Sequence, residues 1–130
     1  MTNTMLKDIK FIDCKLVGVH FDKCKDLHFK VHFESCILNL SSFYKMKLKN
    51  IKFQNSSLHE VDFADCDLSN ASFINCDMAG TVFENTILEK ADFRTAYNYS
   101  IDPDQNRIKK AKFSLQGITG LLHKYDIEIE

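Results

Sequence analysis

Cysteine and histidine are the residues of this chain best suited to chemistry, because their side chains bind metals, carry redox chemistry or act as nucleophiles. The 130 residues include five cysteines and five histidines. There is no CxxC pair, and the closest histidines, His28 and His32, lie in an irregular stretch. Each cysteine follows a phenylalanine by three residues: Cys14, Cys24, Cys36, Cys66 and Cys76. This spacing favours small core residues over a zinc site or a disulfide scaffold.

Catalytic motifs do not appear in the sequence. It has no nucleophile elbow and no paired-carboxylate motif, and four glycines are too few to build a phosphate-cradling loop. No apolar run approaches the ~20 residues that span a bilayer, and the first residues lack the apolar stretch of a signal peptide. We therefore expect a cytoplasmic protein that is not an enzyme, has no cofactor or metal, and does not associate with membranes.

Charge varies strongly along the chain. Residues 1–52 contain ten lysines and five acids, residues 53–93 eight acids and one lysine, and residues 94–130 six bases and five acids. The acids predicted to form a partner-binding surface are Glu60, Asp62, Asp65, Asp67, Asp77, Glu84 and Glu89. Such a surface suits a protein with a basic groove, although an ordinary solvated surface would carry the same charges. The band Lys45, Lys47, Lys49 and Lys52 could bind nucleic acid, but repulsion by the acidic half makes this unlikely.

These side chains must be positioned by a repeat with a step of five. From Phe33 to Phe93, all thirteen residues at this step are Phe, Leu or Met, a run expected by chance on the order of once in a billion. The block Leu6, Phe11, Leu16 and Phe21 keeps the same step, and residues 22–32 contain two extra residues. Neither a helix nor a flat strand has this period. The pattern predicts five-residue segments that each form one side of a coil, with the central residue pointing inward.

Several segments resemble a known motif. Ala71-Ser-Phe-Ile-Asn, Cys66-Asp-Leu-Ser-Asn and Ala91-Asp-Phe-Arg-Thr are similar to the A(D/N)LXX motif of pentapeptide-repeat proteins, and the resemblance covers roughly residues 4–96. It implies an all-β fold: a right-handed quadrilateral β-helix, a solenoid with about twenty residues in each coil.

A four-sided coil predicts four inward columns of side chains. The first Phe column is Phe11, Phe33, Phe53, Phe73 and Phe93, and the Phe column facing it is Phe21, Phe43, Phe63 and Phe83. The two aliphatic columns are Leu16, Leu38, Leu58 and Met78, and Leu6, Leu27, Leu48, Leu68 and Leu88. The position two before each centre also faces inward, is nearly always small or β-branched, and holds Cys14, Cys36, Cys66 and Cys76.

The repeat is predicted to stop at Asn98, which divides the chain into a β-helix over residues 1–98 and a cap over residues 99–130. Asp102 followed by Pro103 predicts a turn or a short helix. Residues 111–113 could add one further inward pair. In the tail, Ile127 and Ile129 alternate with acids and predict a short terminal strand.

The rest of the tail predicts an α-helical cap. Ile118, Leu121, Leu122 and Tyr125 fall on one apolar helix face. Gly117 and Gly120 would permit close approach to the last coil.

This tail resembles the helix and strand through which quinolone-resistance pentapeptide proteins dimerise head to head. The resemblance implies a homodimer that contacts through Leu115, Ile118, Leu121, Leu122 and Tyr125; a monomeric cap over the last coil is the alternative. It also implies two candidate functions. The first is a non-catalytic binding or scaffold protein whose partner the sequence does not identify. The second is a DNA mimic that binds DNA gyrase or another topoisomerase and gives quinolone tolerance, although the basic N-terminal half departs from a uniform mimic.

Overall fold

The computed structural model describes residues 8–23 and 30–129 of the chain. Predictions for Leu6, Cys24 and Leu27, and for most of the irregular stretch, lie outside these residues. Six short strands form one parallel sheet in which neighbours along the chain are neighbours in space. They are β1 (Asp8–Ile12), β2 (Lys30–Glu34), β3 (Lys52–Gln54), β4 (Ser72–Ile74), β5 (Asp92–Phe93) and β6 (Lys112–Phe113).

The strand register reports how many residues each turn contains. Phe11 pairs with Phe33, a step of 22 residues, whereas Phe33 pairs with Phe53, a step of 20. His20 still pairs with a residue 22 further on. The two extra residues therefore lie between His20 and Lys30, where the sequence predicted them; a 3₁₀ helix, Phe21–Lys23, begins this region.

Three further columns of parallel bridges complete the coil, and with the strands they define four sides. Side A carries β1 to β6. Side B follows the column Lys15, Ile37, Ser57, Asp77 and Tyr97. Side C follows His20, Ser42, Asp62 and Val82, and side D follows Lys47, Asp67, Ile87 and Arg107. The all-β prediction is confirmed as a parallel β-solenoid of about five turns.

Most corners of the coil are made by a residue with positive φ at the last position of a segment. Asn, Asp and Gly occupy many of these corners, as expected for the left-handed region. Leu40, Lys45, Glu60 and Lys90 also adopt it, with φ between 56° and 65°. Four corners complete one turn without breaking the inward pattern, so successive segments of the sequence lie on successive sides.

The two Phe columns face each other across the core. Within a column the rings stack with centroids 4.6–5.7 Å apart. Between columns the rings meet edge to face at 5.8–6.4 Å. Leu38, Leu48, Leu58, Leu68, Met78 and Leu88 fill the other two sides and are buried, whereas Phe11 and Leu16 in the first turn are only partly buried. Both ring geometries are favourable for aromatic pairs.

Side chains at the second inward position give backbone carbonyls a second hydrogen bond, in addition to the one that a backbone N–H of the turn donates. The Cys66 thiol donates to the Phe43 carbonyl (2.8 Å), and the Thr86 hydroxyl donates to the Phe63 carbonyl (2.9 Å). Burial raises the pKa of the Cys66 and Cys76 thiols to about 12, so both are protonated donors at neutral pH. The described cysteines, Cys14, Cys36, Cys66 and Cys76, are free thiols. Cys36, Cys66 and Cys76 are buried in the core, as their spacing predicted, and Cys14 is partly buried.

The coil continues past Asn98, where the sequence predicted its end. Phe93 pairs with Phe113 in β6, and the two rings stack at 5.4 Å. The prediction failed because Asn98 and Pro103 occupy two central positions with unsuitable residue types. Tyr99, which is 2% exposed, and Ile101 supply the buried side chains of this last turn instead.

The predicted α-helical cap is wrong for the described residues. The cap contains two 3₁₀ helices, Gly117–Leu121 and His123–Tyr125. Their hydrogen bonds join residues three apart, for example from Leu122 N–H to the Thr119 carbonyl (3.0 Å). Two glycines disfavour a longer helix, and the Gly120 carbonyl is held by Ile101 N–H (2.9 Å).

The other tail predictions have mixed outcomes. Asp102 begins a turn in which its side chain accepts a hydrogen bond from Asp104 N–H (2.9 Å). The terminal strand predicted at Ile127 and Ile129 does not form; both side chains are about half exposed. Neither residue pairs with the coil, so no sheet partner fixes an extended conformation there.

Candidate interaction surfaces

The seven acids predicted to form one surface lie on three sides of the rod. Asp62, Asp65 and Glu84 are on side C, whereas Glu60 and Asp77 are on side B. The remaining two, Asp67 and Glu89, are on side D. Adjacent segments of the sequence point 90° apart, so a stretch of acids is divided among the sides. The sequence therefore identified the acidic residues but not the sides on which they lie.

Side C is the most acidic side. Its three C-terminal segments, residues 61–65, 81–85 and 101–105, contain five acids and no base. Two of the five, Asp102 and Asp104, had been predicted to lie in the cap. Both pair with Lys124 of the cap, at 3.0 Å for Asp102. Asp62, Asp65 and Glu84 form no ion pair within the described residues, so no described base compensates their charge.

Side B carries a chain of hydrogen-bonded polar side chains. His59 Nε2 lies 2.7 Å from an Asp77 carboxylate oxygen, and Asn98 donates to the other oxygen at 3.0 Å. Burial raises the pKa of Asp77, but the bonds from His59 and Asn98 outweigh it and hold the pKa below its usual value. These contacts join three successive turns. Because Asp77 already has two partners, it contributes little to an acidic binding surface.

The lysine band predicted at Lys45–Lys52 also runs around the rod. Lys45 lies on side C, Lys47 and Lys49 on side D, and Lys52 on side A. One flat partner cannot contact all four. A second basic group lies in the last two turns and was not predicted from the sequence. The acids of residues 94–130 nearly balance the bases of this stretch, so its net charge is only +1.

The cap exposes apolar side chains. Leu115 is 89% exposed, Ile118 42% and Tyr125 53%. Leu121 packs against the core and Leu122 is half-buried. Three of the five residues predicted to form a dimer contact are therefore accessible, and the other two support the cap.

A shallow cavity of about 460 Å³ separates the cap from the last turn. Polar side chains dominate its lining: Arg94, Thr95, Asn98, Ser114, Gln116, Thr119 and His123. The buried Tyr99 hydroxyl has no hydrogen-bond partner among the described residues and is covered by Gly117. No group of three potential metal ligands occurs in the described part of the chain. Residues 8–23 and 30–129 likewise form no helix long and apolar enough to cross a bilayer.

Parallel bridges on four sides around a stacked core define a β-solenoid repeat protein. A family model for a pentapeptide repeat region matches residues 2–63, and one for pentapeptide repeats in eight copies matches residues 56–94. The chain belongs to the pentapeptide-repeat family. Proteins of this family are generally non-catalytic scaffolds.

Three solved structures are similar to this chain at low sequence identity. Rfr23 from the cyanobacterium Cyanothece 51142 is 18% identical, over 82% of this chain and 88% of its own, with a TM-score of 0.39. HetL from Nostoc sp. strain PCC 7120, involved in heterocyst differentiation regulation, is 17% identical over 83% of this chain, with a TM-score of 0.48; the match spans only 47% of HetL. Trypsin-treated QnrB1, a plasmid-mediated fluoroquinolone resistance protein, is 14% identical over 93% of this chain and 80% of its own, with a TM-score of 0.43. No curated protein matches the sequence.

Proposed function

We propose that this protein is a non-catalytic binding or scaffold protein that presents side C to a protein with a basic groove. One observation carries the proposal: Asp62, Asp65 and Glu84 lie on successive turns of one side with no paired base among the described residues. Turns repeat about every 4.8 Å along the rod, so the acids form a regular negative strip. A strip of one sign steers and orients a partner of the opposite sign.

The test is a pull-down with charge-matched variants. The first variant is Asp62→Asn, Asp65→Asn and Glu84→Gln, which removes three charges from side C. The control is Glu34→Gln, Glu60→Gln and Glu89→Gln, which removes three charges from sides A, B and D. We expect proteins retained from a lysate of the source organism by the wild type and the control to be lost with the side C variant. Equal retention by both variants would remove side C as the binding surface.

The second candidate for the partner is a topoisomerase. The acids of side C and the resemblance to DNA-mimicking relatives suggest it. Supercoiling by DNA gyrase in the presence of ciprofloxacin tests it directly. The expected result is rescue by the wild type and by the control variant but not by the side C variant. Absence of rescue at micromolar protein would exclude this partner and leave the scaffold proposal intact.

We further propose that the partner of the cap is a second copy of this chain. Leu115, Ile118 and Tyr125 are exposed at the end of the rod, where a second cap would cover them. Ile118→Arg should halve the mass measured by light scattering. Ile37→Arg on side B, at a residue of similar exposure (40% against 42%), is the matched control and should leave a dimer. A wild type with the mass of a monomer would refute the dimer.

A further inference from the structure

Five bases cluster at one edge of the rod, between sides D and A, in the last two turns. We call them the basic corner: Lys90, Arg107, Lys109, Lys110 and Lys112. All five side chains are exposed. Lys90 and Lys110 both occupy corner positions with φ of 61°, and Lys90 N–H donates to the Lys109 carbonyl (3.0 Å). The corner thus consists of two adjacent rungs.

The charges of the basic corner are not neutralised by the described residues around them. None of the five bases lies within ion-pair distance of a described carboxylate. The nearest acid on side A, Asp92, pairs in register with Lys112, but its carboxylate is held by Arg94 through two hydrogen bonds of 2.9 and 3.0 Å. Arg94 holds the pKa of Asp92 below its usual value. Glu89 is the only other acid beside the cluster on side D.

The spacing of these charges is regular. Lys90 and Lys110 lie one rung apart, about 4.8 Å, and Arg107 and Lys109 are alternate residues of one segment, about 6.6 Å apart. Like charges at such distances repel one another, and no core contact requires them because all five point outward. An ordered array of uncompensated bases attracts an extended anion.

We propose that the basic corner binds the phosphate backbone of double-stranded nucleic acid. Four of the five bases are lysines, which act as point charges and suit phosphates without reading sequence. The cluster includes no exposed aromatic residue of the described chain on which an unpaired base could stack. The surface therefore fits the outside of a duplex rather than a single strand.

The acids of side C do not oppose this binding. Repulsion by the acidic half disfavoured nucleic acid when the charges were considered along the sequence alone. In the folded rod, side C lies opposite side A, so its acids are not on either of the two sides that meet at the basic corner. The lysine band is less suitable because its members are spread over three sides.

The experiment measures fluorescence anisotropy of a labelled DNA duplex of about twenty base pairs across a salt series. Arg107→Glu with Lys109→Glu tests the corner. The control, Lys47→Glu with Lys49→Glu, changes equivalent positions on side D three turns earlier and alters the net charge equally. The wild type should bind with a non-specific dissociation constant on the order of 10⁻⁴–10⁻⁶ M. The corner variant should lose at least about tenfold in affinity, and its slope of log K against log salt should fall by about 2, since each lost phosphate contact removes about 0.9. The control should keep both values near those of the wild type.

Several results would overturn the proposal. Equal losses in the corner variant and the control would show an effect of net charge alone. Displacement of the duplex by polyglutamate or by anionic vesicles at equal charge concentration would assign the corner to acidic proteins or to lipid surfaces. No binding by the wild type at low salt would exclude nucleic acid altogether. Circular dichroism spectra of both variants must match the wild type, so that a loss of binding is not a loss of fold.

Discussion

Replacement of Phe63 by alanine tests the stacked core most directly. Phe63 is fully buried in the middle of the rod. Its ring stacks on Phe43 at 5.3 Å and on Phe83 at 5.7 Å. Its edge contacts are with Phe53 at 5.8 Å and Phe73 at 6.0 Å. Truncation therefore removes four aromatic contacts and leaves a cavity closed on all sides.

The expected loss of stability follows from these contacts. Truncating a buried Phe to Ala costs about 3–5 kcal/mol, and each aromatic pair adds about 0.5–1.5 kcal/mol beyond area burial. We expect Phe63→Ala to reach the upper end, about 4–5 kcal/mol. Phe113 is partly buried and stacks on Phe93 only, at 5.4 Å, with a tilted contact to Tyr99 at 5.9 Å. Phe113→Ala should therefore cost no more than about 2 kcal/mol.

Urea unfolding followed by circular dichroism and by tyrosine fluorescence provides the free energies. Three of the four tyrosines, Tyr97, Tyr99 and Tyr125, lie in the last turn or the cap, so tyrosine fluorescence reports mainly on that end of the rod, whereas circular dichroism reports on all turns. Coincident transitions justify a two-state analysis for each variant. If Phe63→Ala and Phe113→Ala differ by less than about 1 kcal/mol, the rings do not form one continuous core and the reasoning fails.

Three further predictions concern a corner, the cap and an ion pair. Leu40 is exposed at φ 65°, a conformation that Asn adopts more readily than Leu. Leu40→Asn should therefore raise the free energy of unfolding by about 0.5–1 kcal/mol, seen as a higher urea midpoint; a lower midpoint would contradict this. A Cβ at Gly120 would lie 2.4 Å from the Tyr99 carbonyl oxygen, so Gly120→Ala should cost at least about 2 kcal/mol and change tyrosine fluorescence; wild-type behaviour would argue against the cap contact. The pKa of Asp77 is lowered in the folded state. The stability that its ionised carboxylate adds is therefore fully present above the unfolded pKa of about 3.9 and is lost as pH falls through the folded-state pKa. Asp77→Asn should therefore flatten the decline of melting temperature below about pH 4, and an unchanged acid slope would exclude the His59 contact as its source.

The core could be predicted from sequence because each turn repeats the same local requirement. A five-residue segment needs one large apolar residue and one small one, and the chain meets this need from Phe33 to Phe93 without reference to any distant residue. The columns follow once four segments make a turn. Even the two extra residues before Lys30 were visible as a shift of frame.

The last turn and the cap were harder because they depend on contacts between distant segments. Asn98 and Pro103 break the central pattern, yet the second inward position continues through Ala96, Ile101 and Asn106. The residue types at this second inward position therefore indicated that the coil extends beyond Asn98. The apolar spacing of the tail also suits an α-helix, but packing of Gly120 against Tyr99 fixes the backbone in short 3₁₀ turns instead. Tertiary contact overrides local period there.

The surface charges show why a linear reading of this chain misleads about partners. Net charge along a stretch adds residues that point in four directions, so the C-terminal part reads as nearly neutral although Lys109 and Asp104 lie on different sides. Every fourth five-residue segment lies on the same side of the rod, so the side of a residue follows from its segment. Assigning residues to sides in this way separates the strip of acids on side C from the basic corner. Since the two surfaces share no residue, charge changes on one should leave binding at the other intact. A rod with separated charges can therefore hold a basic protein and a polyanion together, which a uniformly acidic rod cannot do.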